Sequence, residues 1–460
     1  MATTAMKMGV VQLTVLTAIN MLGSGIIMLP AKLAQVGTIS IFSWIVTALG
    51  SLALAYAFAK CGTFSRKAGG MGGYAEYAFG RSGNFMANYT YGISLLIANV
   101  AIAITAVGYM VVLFNIALSP MQVALAAVGL IWLTTVANFG GPKITGRIAG
   151  VTVWAVIIPV VGISLIGWYW FDAALYAKAW NPHDTPVFQA IGSSIAITLW
   201  AFLGLESACA NTDAVEDPER NVPIAVLGGT IACAIIYIAS TNVIAGIVPN
   251  AELAASTAPF GLVFAQLFNP TVGKVIEGLL VIACIGSLLG WQFTIAQVFK
   301  SSADVGYFLK IFGRITENGT PIISMVILGI GQTLLSLLTI SPNLSKQFDK
   351  LVNLAVVTNL VPYLLSMAAL MTILDTAGIT PRKALFANVI AYVGAAYSYY
   401  ALYSSGFEAL ALGAIVTMAR LDVLRHRKPR FQHVDTRTKV GFRVPVIELP
   451  LPEAKLAAGE

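Results

Sequence analysis

The sequence predicts an all-α membrane protein with twelve transmembrane helices, and two observations carry this prediction. Of the 460 residues, 58% are hydrophobic and 10% are charged, whereas an ordinary soluble domain carries about 25% charged residues. Too few charges remain to cover a soluble core of this size. In addition, apolar runs of about 20 residues recur along the chain, and each is long enough to cross about 30 Å of hydrocarbon.

Turn and charge signals divide these apolar runs into separate spans, with ends defined to within a few residues. An even number of spans places both termini on the same side of the membrane. The predicted spans are roughly 10–34, 39–60, 84–114, 120–138, 148–170, 187–211, 223–247, 276–302, 320–340, 350–374, 383–403 and 407–424.

Lysine and arginine are distributed unevenly between the two sets of connections. An excess of these residues marks the cytoplasmic side, so both termini are predicted to be cytoplasmic and the loop that holds His183 external. The stretch 425–460 is predicted to be a polar cytoplasmic tail, and its arginines supply much of the net charge of +7. This placement argues against nucleic acid as a partner. With the N-terminus inside, the inner connections hold Arg66, Lys67, Arg81, Lys143, Arg147, Arg220, Lys310, Arg314, Arg382 and Lys383. The cations of the outer connections include Lys178, Lys274, Lys346 and Lys350.

Two of the predicted spans are interrupted by residues that disfavour a helix. The first contains Gly23-Ser24-Gly25, and the sixth contains the segment 204–207, with sequence GLES. The interruptions lie five spans apart, which matches the inverted repeats of secondary transporters. Irregular backbone at membrane depth is tolerated only inside protein or beside a water-filled cavity. The pair therefore predicts a binding site, although glycines that merely let helices pack closely are the alternative.

Glu206 is the strongest single signal for function. An acidic side chain inside a span is energetically costly and by default indicates a functional site. The spans supply almost no lysine or arginine partner for it, so we predict a carboxylate that faces a cavity and attracts a cationic ligand. Pairing with a buried cation for structural reasons is the alternative.

Aromatic residues lie where they could complete a site for a cation. Trp200 lies six residues before Glu206, and Trp291 follows the flexible segment IGSLLG in the eighth span. Contact of a cation with an aromatic face contributes about 0.5–2 kcal/mol, but packing is an equal alternative for both residues. The stretch GGMGGYAEYAFG (69–80) is predicted to be a tight cytoplasmic connection. Its residues Glu76 and Tyr77 are candidates for lining an inner vestibule, and a solvated loop surface is the alternative.

Enzymatic functions find little support in the sequence. The only histidines are His183, His426 and His433, and no metal-binding spacing, nucleotide-binding motif or pair of deep catalytic groups is present. No cofactor and no metal are therefore expected. A cation channel remains the alternative of a different class, because it too would explain the glycine-rich interruptions.

The segments GSGIIMLP, GLESA and DPERNVPIA (217–225, taken as a loop) identify a family. Together they resemble the amino acid–polyamine–organocation transporters, in the branch of basic amino acid and polyamine antiporters. The resemblance runs from about Lys7 to Ala414 and is absent from the tail. The stretches most similar to antiporters that exchange putrescine for ornithine are MGVVQLTVLT, CGTFSRKAGGMGGYAEYAFG, FLGLESACANTDAVEDPERNVPIAVLGG and GSLLGWQFTIAQVFKSS.

The resemblance implies a LeuT-like fold: a five-plus-five inverted repeat with broken helices 1 and 6, followed by two additional helices. The transporter domain would span 1–424, with repeats at about 10–170 and 187–374 and the extra helices at about 383–424. The implied function is exchange of putrescine for ornithine across the bacterial inner membrane. Proton-coupled putrescine uptake and a homodimer are left open, and the pairs cadaverine–lysine and arginine–agmatine are alternatives.

The resemblance also assigns roles to individual residues. In the family, the broken first span holds the substrate α-carboxylate and amine, which maps to Gly23, Ser24 and Gly25. The broken sixth span carries the position of Glu206, and gating or substrate-stacking aromatic residues map to Trp200 and Trp291. Residues 148–170 contain no lysine, so the lysine that replaces a sodium ion in some members is absent. This absence favours exchange driven by substrate gradients.

Overall fold

The computed structural model describes residues 9–67, 69–206, 209, 215–317 and 319–425, with side chains to Met418. Within these residues the chain is helical and contains no β-strand, which confirms the all-α prediction. Contacts divide the chain into two units, Met1–Thr417 and Met418–Glu460, and the site lies in the first. The predicted tail, with His426 and His433, lies outside the described residues. The helices are α1 (Val10–Met21), α2 (Leu29–Ala34), α3 (Ile41–Phe64), α4 (Met71–Leu113), α5 (Pro120–Ala137), α6 (Pro142–Thr152), α7 (Trp154–Ile166), α8 (Ala173–Lys178), α9 (Val187–Trp200), α10 (Pro218–Ala245), α11 (Asn250–Ala255), α12 (Pro259–Leu267), α13 (Pro270–Asp304), α14 (Ile322–Leu338), α15 (Leu344–Thr376), α16 (Pro381–Ser404) and α17 (Phe407–Arg425).

Eight segments among the described residues are long and apolar enough to cross a membrane, and the pair α1 and α2, bent by 41°, adds a ninth if it forms one span. Three shorter apolar helices, Val187–Trp200, Ile322–Leu338 and Phe407–Met418, occupy the places of the predicted sixth, ninth and twelfth spans. The protein therefore has the segments of a multi-pass membrane protein. The number twelve and the inverted repeat stay predictions.

The structure corrects two boundaries of the predicted spans. The stretch 69–80 is not a loop, because α4 begins at Met71 and is interrupted only at Gly80, whose φ of 61° is a conformation that glycine adopts readily. A Cβ atom on Gly72 would lie 2.3 Å from Asn88, so glycine lets this first part pack closely. Similarly, the segment 217–225 is mostly helical, since α10 begins at Pro218, a residue suited to the first turn.

Three long helices form the frame that holds the two interrupted spans. Helix α4 packs along α15 and α13, and Ser94 Oγ of α4 donates a hydrogen bond of 2.7 Å to the Ala355 carbonyl of α15. Helix α1 packs along α10, where a Cβ on Gly229 would lie 2.9 Å from Thr17. Small residues at these contacts bring the backbones together, as is usual for helices in membranes.

Candidate binding cavity

The first interruption separates α1 from α2. Helix α1 ends at Met21, a single 3-10 turn covers Ser24–Ile26, and α2 begins at Leu29. The glycines allow a close approach to other parts of the chain. A Cβ on Gly23 would lie 3.2 Å from Ser287 Oγ, and one on Gly25 would lie 3.3 Å from the Ala201 backbone. The first interruption is therefore packed directly against the second.

The second interruption begins where α9 ends at Trp200, and residues 201–206 continue in turns. Gly204 has a φ of +109°, and a Cβ there would lie 2.9 Å from the Asn20 carbonyl oxygen and 3.4 Å from the Trp291 ring. Only glycine combines this backbone conformation with such close contacts. The remainder of the predicted sixth span, residues 207–208 and 210–211, lies outside the described residues.

A cavity of about 40 Å³ lies between the two interruptions, which exceeds the roughly 10–15 Å³ that one water molecule needs. It is lined by the two interrupted segments and by α4, α13 and α15. All six residues predicted to bind substrate are among its lining residues, and their contact with substrate stays a prediction. The lining residues are Asn20, Met21, Gly23, Ser24, Gly25, Ser94, Leu95, Ala98, Ile102, Trp200, Leu203, Glu206, Trp291 and Asn359.

Glu206 is buried at this cavity, with 6% of its surface exposed. Its carboxylate accepts hydrogen bonds from the Tyr91 hydroxyl at 2.9 Å, the Tyr363 hydroxyl at 2.5 Å and the Gly204 backbone N–H at 3.0 Å. The carboxyl group is thus hydrogen-bonded by neutral donors, and no lysine or arginine of the described residues forms an ion pair with it.

Trp200 and Trp291 both line the cavity. The Trp200 ring makes an edge contact with Phe348 at 6.4 Å, and its buried Nε1 has no hydrogen-bond partner among the described atoms. Trp291 is partly buried and lies against the Gly204 backbone. Ser24 Oγ at the first interruption lies 3.1 Å from Ser287 Oγ of α13. The cavity therefore offers a carboxylate, two aromatic rings and hydroxyl groups to a small polar ligand.

Glu76 and Tyr77 do not line this cavity. Glu76 Oε1 pairs with Lys67 Nζ at 3.0 Å, and its Oε2 accepts a hydrogen bond of 2.8 Å from Asn84. The hydroxyl of Tyr307 lies 3.5 Å from Glu76 Oε1, and the Tyr77 hydroxyl accepts a hydrogen bond from the Arg66 backbone N–H. Glu76 already has a cation beside it, and its role in a vestibule stays a prediction.

Sequence reasoning missed several residues around the cavity. Tyr91 and Tyr363 lie in long apolar runs, where a tyrosine carries no local signal of a hydrogen-bonded partner. Lys32 near the end of the first predicted span was also missed. It is fully buried and forms an ion pair of 2.8 Å with Asp349 of α15. A lysine within an apolar run, seven residues after Gly25, was the available signal for that pair.

Comparisons with known proteins decide the family. The profile described as "Amino acid permease" matches residues 8–414. The chain belongs to this family. It is 68% identical over 426 residues to the "Putrescine transporter PotE" of Escherichia coli strain K12, which covers 93% of this chain and 97% of the relative. The protein of the same name from Haemophilus influenzae is 66% identical over 411 residues, or 89% of this chain and 94% of the relative.

A more distant relative is the "Cadaverine/lysine antiporter" of Escherichia coli strain K12. It is 36% identical over 370 residues, which are 79% of this chain and 82% of the relative. Membership of the permease family confirms the resemblance identified from the sequence motifs. Since the relatives are named transporters and the family is one of permeases, this member is a multi-pass membrane transporter and not an enzyme.

Proposed function

We propose that the protein is a secondary active transporter that exchanges putrescine for ornithine across the bacterial inner membrane, with both termini in the cytoplasm. The observation that carries this proposal is the cavity that joins two interrupted membrane segments and contains a buried carboxylate. Two relatives at 66–68% identity are named for putrescine transport. The proposal also allows proton-coupled putrescine uptake as a second activity. It is compatible with a homodimer.

The two substrates would use different parts of the cavity. The ammonium group that both share would lie near Glu206, whose hydrogen bonds to Tyr91 and Tyr363 hold the carboxylate in place. The faces of the aromatic rings would add cation–π attraction. The α-carboxylate, which only ornithine has, would lie against the irregular backbone and hydroxyl group of Ser24 at the first interruption, where backbone N–H groups are released from regular helical bonding.

The alternatives are other pairs of a basic amino acid and its amine, and a channel. Cadaverine and lysine each have one methylene more than putrescine and ornithine, a difference worth about 1–3 kcal/mol in an apolar pocket. The relative at 36% identity is named for that longer pair, whereas those named for putrescine are nearly twice as similar. Arginine and agmatine would require still more space.

Counterflow in proteoliposomes distinguishes these alternatives. We expect vesicles loaded with putrescine to accumulate labelled ornithine, and vesicles loaded with ornithine to accumulate labelled putrescine. Lysine and cadaverine should stimulate uptake about tenfold less, which corresponds to one methylene in the pocket. Arginine and agmatine, whose guanidinium groups are larger, should stimulate uptake less than putrescine and ornithine do, by at least the same factor. Uptake that does not depend on substrate inside the vesicle would indicate a channel, and equal stimulation by lysine and cadaverine would contradict the proposed pair.

The proposed exchange should also move charge. Amines have pKa values of about 10, so putrescine carries two positive charges near neutral pH and ornithine carries one net positive charge. A strict exchange then moves one charge per cycle, on which a potential of 100 mV acts with about 2.3 kcal/mol, or about a fifty-fold bias. We expect vesicles loaded with putrescine and placed in ornithine to export faster when valinomycin and potassium make the interior positive. Export that does not respond to the potential would require a compensating ion, such as a proton accompanying ornithine.

A further inference from the structure

Tyr237 of α10 is fully buried and contacts both interruptions. Its hydroxyl oxygen is 2.7 Å from the Met21 carbonyl oxygen and 3.0 Å from the Ala201 carbonyl oxygen. Met21 is the last residue of α1, and Ala201 directly follows α9. The ring is fixed by aromatic contacts with Trp44 at 5.7 Å and Phe202 at 5.4 Å. One side chain therefore reaches the carbonyl ends of both interrupted spans.

These carbonyl groups lie at helix ends, where no intrahelical donor is available and the helix dipole adds negative potential. The Met21 carbonyl also accepts a hydrogen bond of 2.7 Å from the Gly23 backbone N–H. In hydrocarbon such groups require another partner. In transporters with broken helices, carbonyl groups at these ends commonly coordinate the cations that are coupled to transport. In this protein a neutral hydroxyl group, held by a rigid ring, occupies the position between them.

The face of α10 that carries Tyr237 is already attached to the first interrupted span. Positions 229, 233 and 237 are spaced by four residues and so lie on one face of the helix. A Cβ on Gly229 would lie 2.9 Å from Thr17, and Cys233 Sγ donates to the Ala18 carbonyl at 3.6 Å. These contacts join α10 to α1 alone. Tyr237 reaches the second interruption in two ways: its ring contacts Phe202, and its hydroxyl donates to the Ala201 carbonyl.

We propose that Tyr237 is a positioning residue that joins the two interruptions through one hydroxyl group, in place of a coupling cation. This proposal rests on the proposed transport through the cavity. The hydroxyl has a single proton for two acceptors, so it serves both carbonyls only while they remain side by side. Met21, which accepts this bond, itself lines the cavity, so the hydroxyl holds the cavity walls at their distance without a bound metal ion.

The test is Tyr237→Phe, which keeps the ring and removes only the hydroxyl. The matched control is Tyr109→Phe, because the Tyr109 hydroxyl is equally buried and does not join the two interruptions: it donates to the Ile27 carbonyl of the first interrupted span and accepts from the Phe260 backbone N–H of α12. We expect Tyr237→Phe to raise KM for putrescine and for ornithine about fivefold with little change in kcat, and Tyr109→Phe to change KM less than about twofold. Wild-type exchange should be equal in sodium, lithium and choline chloride.

A second readout does not depend on the identity of the substrate. Ala98 lines the cavity, and Ala98→Cys provides a thiol whose modification rate by a small methanethiosulfonate reagent reports how well the cavity walls are held. We expect the rate to rise at least about fivefold when Tyr237→Phe is added, and to stay within about twofold when Tyr109→Phe is added.

The outcomes separate this inference from the proposed function. If the wild type exchanges neither substrate, the proposed function fails, and the thiol reaction alone decides the role of Tyr237. If the wild type is active and both phenylalanine variants give the same KM values and thiol rates, the coupling of the two interruptions by Tyr237 is wrong. If exchange requires sodium or lithium, the proposal that the Tyr237 hydroxyl takes the place of a coupling cation is wrong.

Discussion

Glu206→Gln is expected to fold normally and to lose most of its affinity for putrescine. Glutamine can reproduce the geometry of the site: its amide oxygen can accept from Tyr363 and Gly204, and its NH₂ group can donate to the Tyr91 oxygen after that hydroxyl rotates. The substitution therefore removes the charge with little change in shape. Because hydrogen bonds to charged groups contribute about 1.5–3 kcal/mol, we expect KM for putrescine to rise by about tenfold or more.

The measurement is putrescine uptake into proteoliposomes by variants matched for the amount of folded protein. Glu277→Gln is the control, because Glu277 is another buried glutamate, also 6% exposed, that does not line the cavity. We expect that variant to keep the wild-type KM within about twofold, since no charge near the ligand changes. An unchanged KM in Glu206→Gln would reduce Glu206 to a structural acceptor for two tyrosines.

The interrupted segments were predictable because the constraint that reveals them is local. A Gly-Ser-Gly sequence or a glutamate inside an apolar run conflicts with continuous helical hydrogen bonding in lipid, and this conflict is visible in a short window. Gly23 and Gly204 were therefore identified correctly as breaks in the helical pattern. The two breaks line one cavity because helices that are distant in the sequence pack together. The only sign of this packing in the sequence was the spacing of five spans between the breaks.

The partners of the carboxylate could not be predicted in the same way. Tyr91 and Tyr363 are separated from Glu206 by 115 and 157 residues, and both lie in apolar helices where tyrosine also occurs for packing. Tyr237 is similar, since nothing near it in the sequence indicates that its hydroxyl meets two carbonyl groups. For Glu76, the predicted local structure was wrong. The glycines around it suggested a loop, but the packing of Gly72 against Asn88 stabilises a helix there.

The ion pair between Lys32 and Asp349 joins α2, the second half of the first interrupted span, to α15. Lys32 Nζ lies 2.8 Å from Asp349 Oδ1 and donates a hydrogen bond of 2.7 Å to the Ser345 carbonyl. The Lys32 side chain is 0% exposed, whereas that of Asp349 is 31% exposed. Removing one partner of a buried pair leaves a charge that neither protein nor water neutralises, which costs about 3–5 kcal/mol.

We expect Asp349→Asn to lower the stability of the protein more than Lys32→Met does. The first substitution leaves the ammonium group of Lys32 without a counterion in a site that water does not reach. The second leaves the carboxylate of Asp349, which is partly exposed and can be hydrated. The double variant should recover most of the loss, because it contains no unpaired charge. The measurement is the thermal midpoint of unfolding of the purified protein in detergent.

The neighbouring pair of Lys350 with Glu408 provides the control for this asymmetry. Its Nζ and Oε1 atoms are 3.2 Å apart, but the two side chains are 65% and 71% exposed, and exposed pairs contribute about 0–1 kcal/mol. Lys350→Met should therefore change the midpoint little, although it too removes a lysine from an ion pair on α15. Burial then decides the cost of losing the partner, and equal midpoints for Asp349→Asn and Lys350→Met would contradict that argument.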